Sequence, residues 1–522
     1  MMRLAGKWKF AAVVVVLATV AIFTFDFTMI SSTPNTTIMP RNVTLADAVQ
    51  MSTTDVALVP GELPSYTGWA RPEATLASFF SIVSISSHQP RVGEEFTIGL
   101  WCHQNEDCSK GSSLFYLRAY GPSVIPGIID RQSRGQYKAS FTFPDPGHYT
   151  VEVVLSFSDP PPIESFPLSS EMMEPPYEGY LLPGFPLQVT IEKDDGGMRP
   201  VSDSAPLCTS DQLTETSPDS AAKKARWKVT SKSSAPNHTP TSTMITEAGY
   251  LRNVNSLGVT MDYQYLSGCK LIPESLFARS SGNSHPFAKC HESVHIIFVG
   301  DSVVRVQSEM FKKWTEHLPN IKSSYITLYG GYRRVNAIDE TFIPHLEDIK
   351  RRAAGDRKVI LFNSGLHDVH RLCGNEWKDD RREYLDTGTL DSGHFSCIAE
   401  YRALMEDFAS VINGFEADLK VFQSTTAAWP KWGNYGIEWP TGGQGMPVAT
   451  ELVSYFNEVA FDTLLSKFPN IKLVDGYWIT YSRPDNREVG QIGNKLSHPG
   501  LEVQSAMTRI WCMVLLEQLC SK

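Results

Sequence analysis

The chain has 522 residues, 42% hydrophobic and 20% charged, with 47 Lys and Arg against 57 Asp and Glu for a formal net charge of −10. Such a length exceeds a single core and implies two domains plus extensions, while the composition is that of a globular chain. The acidic balance, without any long basic run, excludes nucleic acid as the main partner, because neutralising phosphate needs concentrated Lys and Arg.

At the N-terminus Arg3, Lys7 and Lys9 precede an apolar run over 10–25 that stops at Asp26. The run falls slightly short of the roughly 20 residues of a membrane span, and Trp8 and Phe27 can extend it at the interfaces. No convincing small-x-small cleavage site follows, so 1–28 is expected to be a cytoplasmic tip and signal-anchor helix; a cleaved signal peptide and a secreted chain are the alternative. Basic residues ahead of the span hold that end in the cytoplasm and send the remainder to the lumen or outside, as in a single-pass type II membrane protein. Sequons at Asn35, Asn42 and Asn237 agree with export. Residues 29–75, rich in Thr, Ser and Pro, are expected to form a disordered stem.

Over 76–195 short alternating runs (79–85, 96–101, 137–143 and 149–155) are divided by turn residues, and an all-β sandwich is expected. The stretch Gly135-Gln136-Tyr137 through Gly147-His148-Tyr149 resembles the last hairpin of immunoglobulin-like filamin repeats, which implies a spacer or a protein-binding role. Residues 196–245 are polar and are expected to be a linker and the start of the next domain, to which Cys208 and Arg226-Trp227-Lys228-Val229 already belong.

From 246 to 522 strands and helices alternate. Strands are expected at 295–299, 325–328, 358–362, 419–423 and 471–475. Helices are expected near 303–316, 338–354, 398–414, 448–467 and 500–519. Five strands alternating with helices predict an α/β domain on a parallel, doubly wound sheet, with ligands beyond the carboxyl ends of the strands. The nine cysteines include neighbours that suggest disulfides in an oxidising compartment: 102 with 108, 269 with 290, 373 with 397, and 512 with 520. Cys208 has no near neighbour, so at least one bridge is expected to be long-range and one thiol is left over.

The chemistry-bearing residues fall at the expected strand ends. Gly300-Asp301-Ser302 closes the first strand and opens a helix, where free backbone N–H groups can hold an oxyanion. Ser302 is the candidate nucleophile. Backbone N–H groups of Gly330 and Gly331 after the second strand, and the Asn363 amide after the third, are candidate oxyanion donors. His498, before the last helix, is the candidate base, with Pro499 in that helix's first turn. Each of these residues alone is an ordinary loop residue; the set in this order carries the reading.

The set resembles the SGNH (GDSL) hydrolases, and its PC-esterase branch more closely. Gly300-Asp301-Ser302-Val303-Val304-Arg305-Val306-Gln307 is similar to that branch's Gly-Asp-Ser-x-x-Arg-x-Gln block, and Trp227 with the 263–269 segment to its upstream Trp and Cys region. An immunoglobulin-like domain ahead of it resembles the neurexophilin and PC-esterase domain proteins. The resemblance, over roughly 205–520, implies a three-layer α/β/α domain and O-acyl, usually O-acetyl, esterase or transferase work on glycans in the secretory pathway, in the Golgi lumen or at the cell surface. No bound cofactor is implied; a transferase would draw on an acyl donor such as acetyl-CoA or an acetylated intermediate. One departure stands out. Lys495 occupies the place of the family's acid three residues before the histidine, so Asp475 or Asp485 must orient His498, or a Ser–His dyad acts alone, or the site is degenerate and the chain is a binding or adhesion protein.

Other residues have two readings. His367, Asp368 and His370 form a weak metal pattern, and no metal is expected. Trp429, Trp432, Tyr435 and Trp439 would suit sugar rings or the packing of a long loop. Arg305 would bind an anionic donor or sugar, or form a salt bridge.

Overall fold

A computed structural model describes residues 76–87, 89–103, 113–157, 180–193, 205–214, 222–232, 259–265, 269–278, 284–328, 342–369, 397–428, 450–483, 487–490 and 493–520. The expected span, the stem and Asn35, Asn42 and Asn237 lie outside the described residues. Among the described residues no helix is long and apolar enough to cross a membrane.

The N-terminal region is built of antiparallel strands: β1 (Phe80–Ile85), β2 (Glu95–Cys102), β3 (Leu114–Tyr120), β4 (Ser123–Pro126), β5 (Ile128–Ser133), β6 (Gln136–Thr142), β7 (Gly147–Phe157), β8 (Tyr180–Leu181) and β9 (Leu187–Ile191). One sheet has the order β1-β2-β6-β5. Its alternation of apolar and polar residues points Phe96, Ile98 and Leu100 of β2 and Tyr137, Ala139 and Phe141 of β6 inward, against Phe115 and Leu117 of β3 and Val151 and Val153 of β7.

The opposing sheet does not end with the sandwich. Strands β10 (Arg226–Lys232) and β11 (Val259–Gln264) extend it, giving β11-β10-β4-β3-β7-β8 with β9 also on β7. The pairs Trp227↔Val124 and Lys228↔Ser123 make the join. Part of the expected linker is therefore a strand shared by both regions. Apolar contact explains this: Trp227 is 1% exposed, its indole N–H donates to Ile479 O at 3.1 Å, and the Arg483 guanidinium stacks 4.5 Å from its ring. The outer face of β3 is tied down as well, since the Tyr116 hydroxyl donates to Tyr481 O and the Tyr481 hydroxyl accepts from Leu117 N–H, both at 3.0 Å.

The C-terminal sheet comprises β12 (Val294–Gly300), β13 (Ile321–Thr327), β14 (Arg357–Phe362), β15 (Leu419–Gln423) and β16 (Lys472–Val474), all parallel, in the order β13-β12-β14-β15-β16. The second strand begins at Ile321, earlier than its expected start, because polar Ser323 and Ser324 mask the strand pattern. Every residue of β12 is buried, as in a parallel sheet covered on both faces. Ile297 and Val299 face α2 (Ile343–Arg352), α3 (Cys397–Gly414) and α4 (Thr450–Lys467). Ile296 and Phe298 face α1 (Ser302–Thr315) and α6 (Leu501–Cys520), so the region has three layers. A short helix, α5 (Gly476–Tyr481), follows β16.

The hairpin β17 (Arg487–Gly490) and β18 (Gly493–Pro499) precedes α6. Pro499 thus ends a strand and does not open the helix. The helix starts two residues later, and Gly500 O accepts from Gln504 N–H in its first turn. The cysteines also depart from expectation. Cys208 pairs with Cys269 and Cys290 with Cys520, across 61 and 230 residues, and among the described residues buried Cys512 is a free thiol. The 269–290 and 512–520 pairs are therefore incorrect, because proximity in the fold rather than in the chain decides the partner. Cys102 is disulfide-bonded, while its expected partner Cys108 lies outside the described residues, as does Cys373.

Candidate active site

The strand order puts the first strand of the parallel sheet, β12, between the second and third, which makes the β12/β14 edge a topological switch point where crevices open. Ser302 leaves the end of β12 and Asn363 the end of β14, in strands paired up to Val299↔Phe362. The turn between β12 and α1 is shaped by contact. At φ +158° a Cβ on Gly300 would lie 2.9 Å from Val304 Cγ2, so glycine lets the helix close on the strand, with the Asn363 loop in ordinary contact beside it.

Three neighbours hold that turn. Asp301 is the N-cap of α1, its carboxylate accepting from Val303 N–H at 2.9 Å. The Tyr325 hydroxyl lies 2.9 Å from both Gly300 O and Asp301 O, and Leu328 N–H donates to Gly300 O at 2.8 Å. Ser302 is therefore the first helical residue, a position whose N–H has no acceptor within the helix.

His498 arrives from the opposite direction. In the hairpin Glu488 pairs with Lys495 and Arg487 with Pro499, leaving Leu496, Ser497 and His498 as a bulge on β18. Bulges re-aim side chains, and here the imidazole Nε2 stands 2.8 Å from Ser302 Oγ. His498 is only 9% exposed. A hydroxyl hydrogen-bonded to an imidazole at a helix N-terminus is the geometry of an activated oxygen nucleophile.

Asn363 sits at the same sheet edge, 4% exposed, with Nδ2 donating to Gln423 O at 2.8 Å. Gly365 allows the next turn of that loop, since at φ +148° an added Cβ would overlap Thr425 Oγ1 at 2.2 Å. Ser364 O accepts from both Tyr401 and Thr425 hydroxyls at 2.9 Å, and the Ser364 hydroxyl donates to Asp368 at 2.5 Å. His367 and Asp368 thus belong to the loop that carries Asn363, and His370 lies outside the described residues. Among the described residues no group of three metal-ligating side chains occurs.

Asp475 is the N-cap of α5, its Oδ1 accepting from Tyr477 N–H, Trp478 N–H and the Ser424 hydroxyl at 3.1–3.2 Å. Its described contacts serve the helix rather than the imidazole, and Asp485 lies outside the described residues. Asp301, which the sequence marked only as a turn residue, is buried close enough to His498 for their charges to interact. Burial raises the Asp301 carboxyl above its ordinary value of 3.8; the His498 imidazole and the Val303 and Val304 N–H groups oppose that rise, and Asp368 adds to it.

Arg305 forms an i,i+4 ion pair with Glu309 at 2.8 Å, both side chains largely exposed. Such a pair contributes little to stability. Gly330, Gly331, Trp429, Trp432, Tyr435 and Trp439 lie outside the described residues. Sequence reasoning gave no role to Tyr325, Gln307 or Gln423, although Gln307 already stood at the end of the Gly-Asp-Ser block.

No family model matches the chain, and no curated protein matches it. Among solved structures, the Lin-41 filamin domain aligns over 22% of this chain and 94% of its own, at 17% identity and a TM-score of 0.17. A protein described as a glycoside hydrolase from Bacteroides vulgatus aligns over 79% of this chain and 75% of its own, at 7% identity and a TM-score of 0.14. At such scores neither likeness bears on the fold or on the activity. The antiparallel and parallel sheets rest on their own strand pairing.

Proposed function

We propose that the C-terminal region is an SGNH-type serine acyl hydrolase or acyltransferase of the PC-esterase kind, carried behind an immunoglobulin-like sandwich. The observation that carries the reading is the 2.8 Å contact between Ser302 Oγ and His498 Nε2, formed by residues 196 positions apart at the switch point of a parallel sheet. Ser302 Oγ attacks the ester carbonyl carbon and its proton passes to His498 Nε2. The Ser302 N–H and the Asn363 amide stabilise the oxyanion. On collapse the alcohol leaves with the proton from the imidazolium, and the acyl group stays on Ser302. His498 then deprotonates water, giving an esterase, or a sugar hydroxyl, giving a transferase. The resemblance to PC-esterases points to O-acetylated glycans in the secretory pathway, and the expected anchor and sequons fit a Golgi lumenal enzyme held at the membrane.

A second reading keeps the fold without the chemistry, as a binding or adhesion protein engaging a partner through the sandwich. Lys495 at the position of the family's acid favours it. A fluorophosphonate probe applied to the full chain separates the two. Labelling of the native chain, lost in Ser302→Ala, is expected of the enzyme. A folded native chain that takes up no probe would support the binding protein.

A further inference from the structure

Two buried amides stand directly behind the site with no part in the reaction as written. Gln307 on α1 and Gln423 at the end of β15 are fully buried and exchange hydrogen bonds: Gln307 Nε2 donates to Gln423 Oε1 at 2.9 Å, and Gln423 Nε2 to Gln307 Oε1 at 3.0 Å. The main-chain oxygen of Gln423 accepts from Asn363 Nδ2 at 2.8 Å. One residue therefore grips the helix that begins at Ser302 through its side chain, and Asn363 through its carbonyl. Gly476 leaves room for this arrangement, since a Cβ there would lie 3.2 Å from Gln423 Cγ and 2.7 Å from Ser424 O.

The chemistry of the acceptor sets a direction. A carbonyl oxygen can only accept, so Asn363 must turn its amino group toward Gln423; a flipped amide would bring two oxygens face to face. With one Nδ2 hydrogen committed, the heading of the second is fixed. A buried network in which each member's partner is another member is stiff, and stiffness at an oxyanion donor matters because small misplacements are costly in rate.

We propose that the Gln307–Gln423 amide pair is the positioning device of the oxyanion site, fixing the Asn363 amide against the Ser302 end of α1. The proposal rests on the acyl-transfer reading and makes both glutamines positioning residues. Their loss lowers acylation and kcat while leaving KM in place.

Gln307→Glu in the full chain tests it through pH. A neutral carboxylic acid has one donor and one acceptor and reproduces the reciprocal pair; a carboxylate turns only acceptors toward Gln423 Oε1. The readout is the rate of fluorophosphonate attachment to Ser302, divided by the native rate at the same pH, so that pH effects common to both proteins cancel. The ratio should be about one tenth or lower near pH 8 and climb toward one near pH 5, since burial favours the neutral acid. A ratio of one, or a low ratio that does not move with pH, would overturn the proposal. If this variant does not fold, Gln307→Met combined with Gln423→Met removes both partners and leaves no unpaired amide. The folded double variant should then acylate about tenfold more slowly, with KM for an aryl acetate unchanged; native acylation by it overturns the proposal alone. A native chain that fails to react overturns this proposal and the acyl-transfer reading together.

Discussion

Both regions of the molecule bury charge, and they do so differently. In the sandwich Arg118 and Glu152 are cross-strand neighbours on β3 and β7, fully buried, with Nε 2.8 Å from Oε2. Near the shared strand β10, Arg226 Nε stands 3.0 Å from Asp145 Oδ2, and the Ser123 hydroxyl donates to the same oxygen at 2.9 Å. Each buried charge there meets its opposite, which fixes how strands and regions meet. At the crevice two carboxylates, Asp301 and Asp368, are buried within range of each other's repulsion, with the His498 imidazole close to Asp301. Matched burial in the first region is architecture, and like-charge burial in the second is the kind that picks out a candidate reaction site.

The sharpest way to break this contrast is His498→Ala. Removing a general base lowers acylation by about 10²–10⁴-fold, and the melting temperature should hardly move, since the residue sits on a bulge rather than in the core. Acylation at the native rate in stopped-flow assays would show that the crevice is not a reaction centre. The converse substitution is Trp227→Ala at the shared strand. It deletes a fully buried indole and its bond to Ile479 O, and the expected loss is about 3–5 kcal/mol of unfolding free energy in denaturant titrations. A loss below about 1 kcal/mol would mean that the two regions are merely adjacent.

Asp301→Asn sharpens the electrostatic side. An asparagine keeps the cap to Val303 N–H but removes the charge beside His498, so acylation should fall about tenfold or more. The stability effect has a defined sign. Burial raises the native carboxyl above the unfolded value near 3.8, so the native state holds the proton more tightly. That contribution is fully present below the unfolded value and is lost as pH rises through the native one. Melting temperature should therefore decline less steeply above about pH 4 in Asp301→Asn than in the native chain; parallel curves from differential scanning calorimetry would contradict the assignment. The smallest effect is expected from Tyr481→Phe, which strips the acceptor from Leu117 N–H and should cost about 1–3 kcal/mol without changing acylation. A loss of acylation there would show that the sandwich reaches the active centre.

How much of this was legible beforehand follows from where the physics is local. The largely apolar runs at 295–299, 358–362 and 419–423 announce buried parallel strands, because residues covered on both faces leave a strong apolar signal. Ser302, Asn363 and His498 were readable as one set, because each follows or precedes an element in the same strand–helix rhythm. What was hidden depends on contact across long separations. Trp227 reads as part of the C-terminal domain, but its partners Ile479 and Arg483 stay hidden until the chain closes on it. Cys269 chooses Cys208 over the nearer Cys290 because the chain folds back along Leu207↔Lys270. Asp475 looks like a free acid and is a helix cap, since no local signal distinguishes an aspartate that faces an imidazole from one that faces its own backbone. Gln307 and Gln423, 116 residues apart, are mute singly and meaningful only as a pair.

The central claim is that Ser302 becomes covalently acylated with His498 as its base. Intact-mass and peptide-level mass spectrometry of the full chain, quenched during turnover of an activated acetyl ester, tests it most directly. An acetyl adduct on the peptide containing Ser302, missing from Ser302→Ala and strongly reduced in His498→Ala, is the predicted result. A folded native chain with no adduct, or with the acetyl group on another residue, would contradict the account.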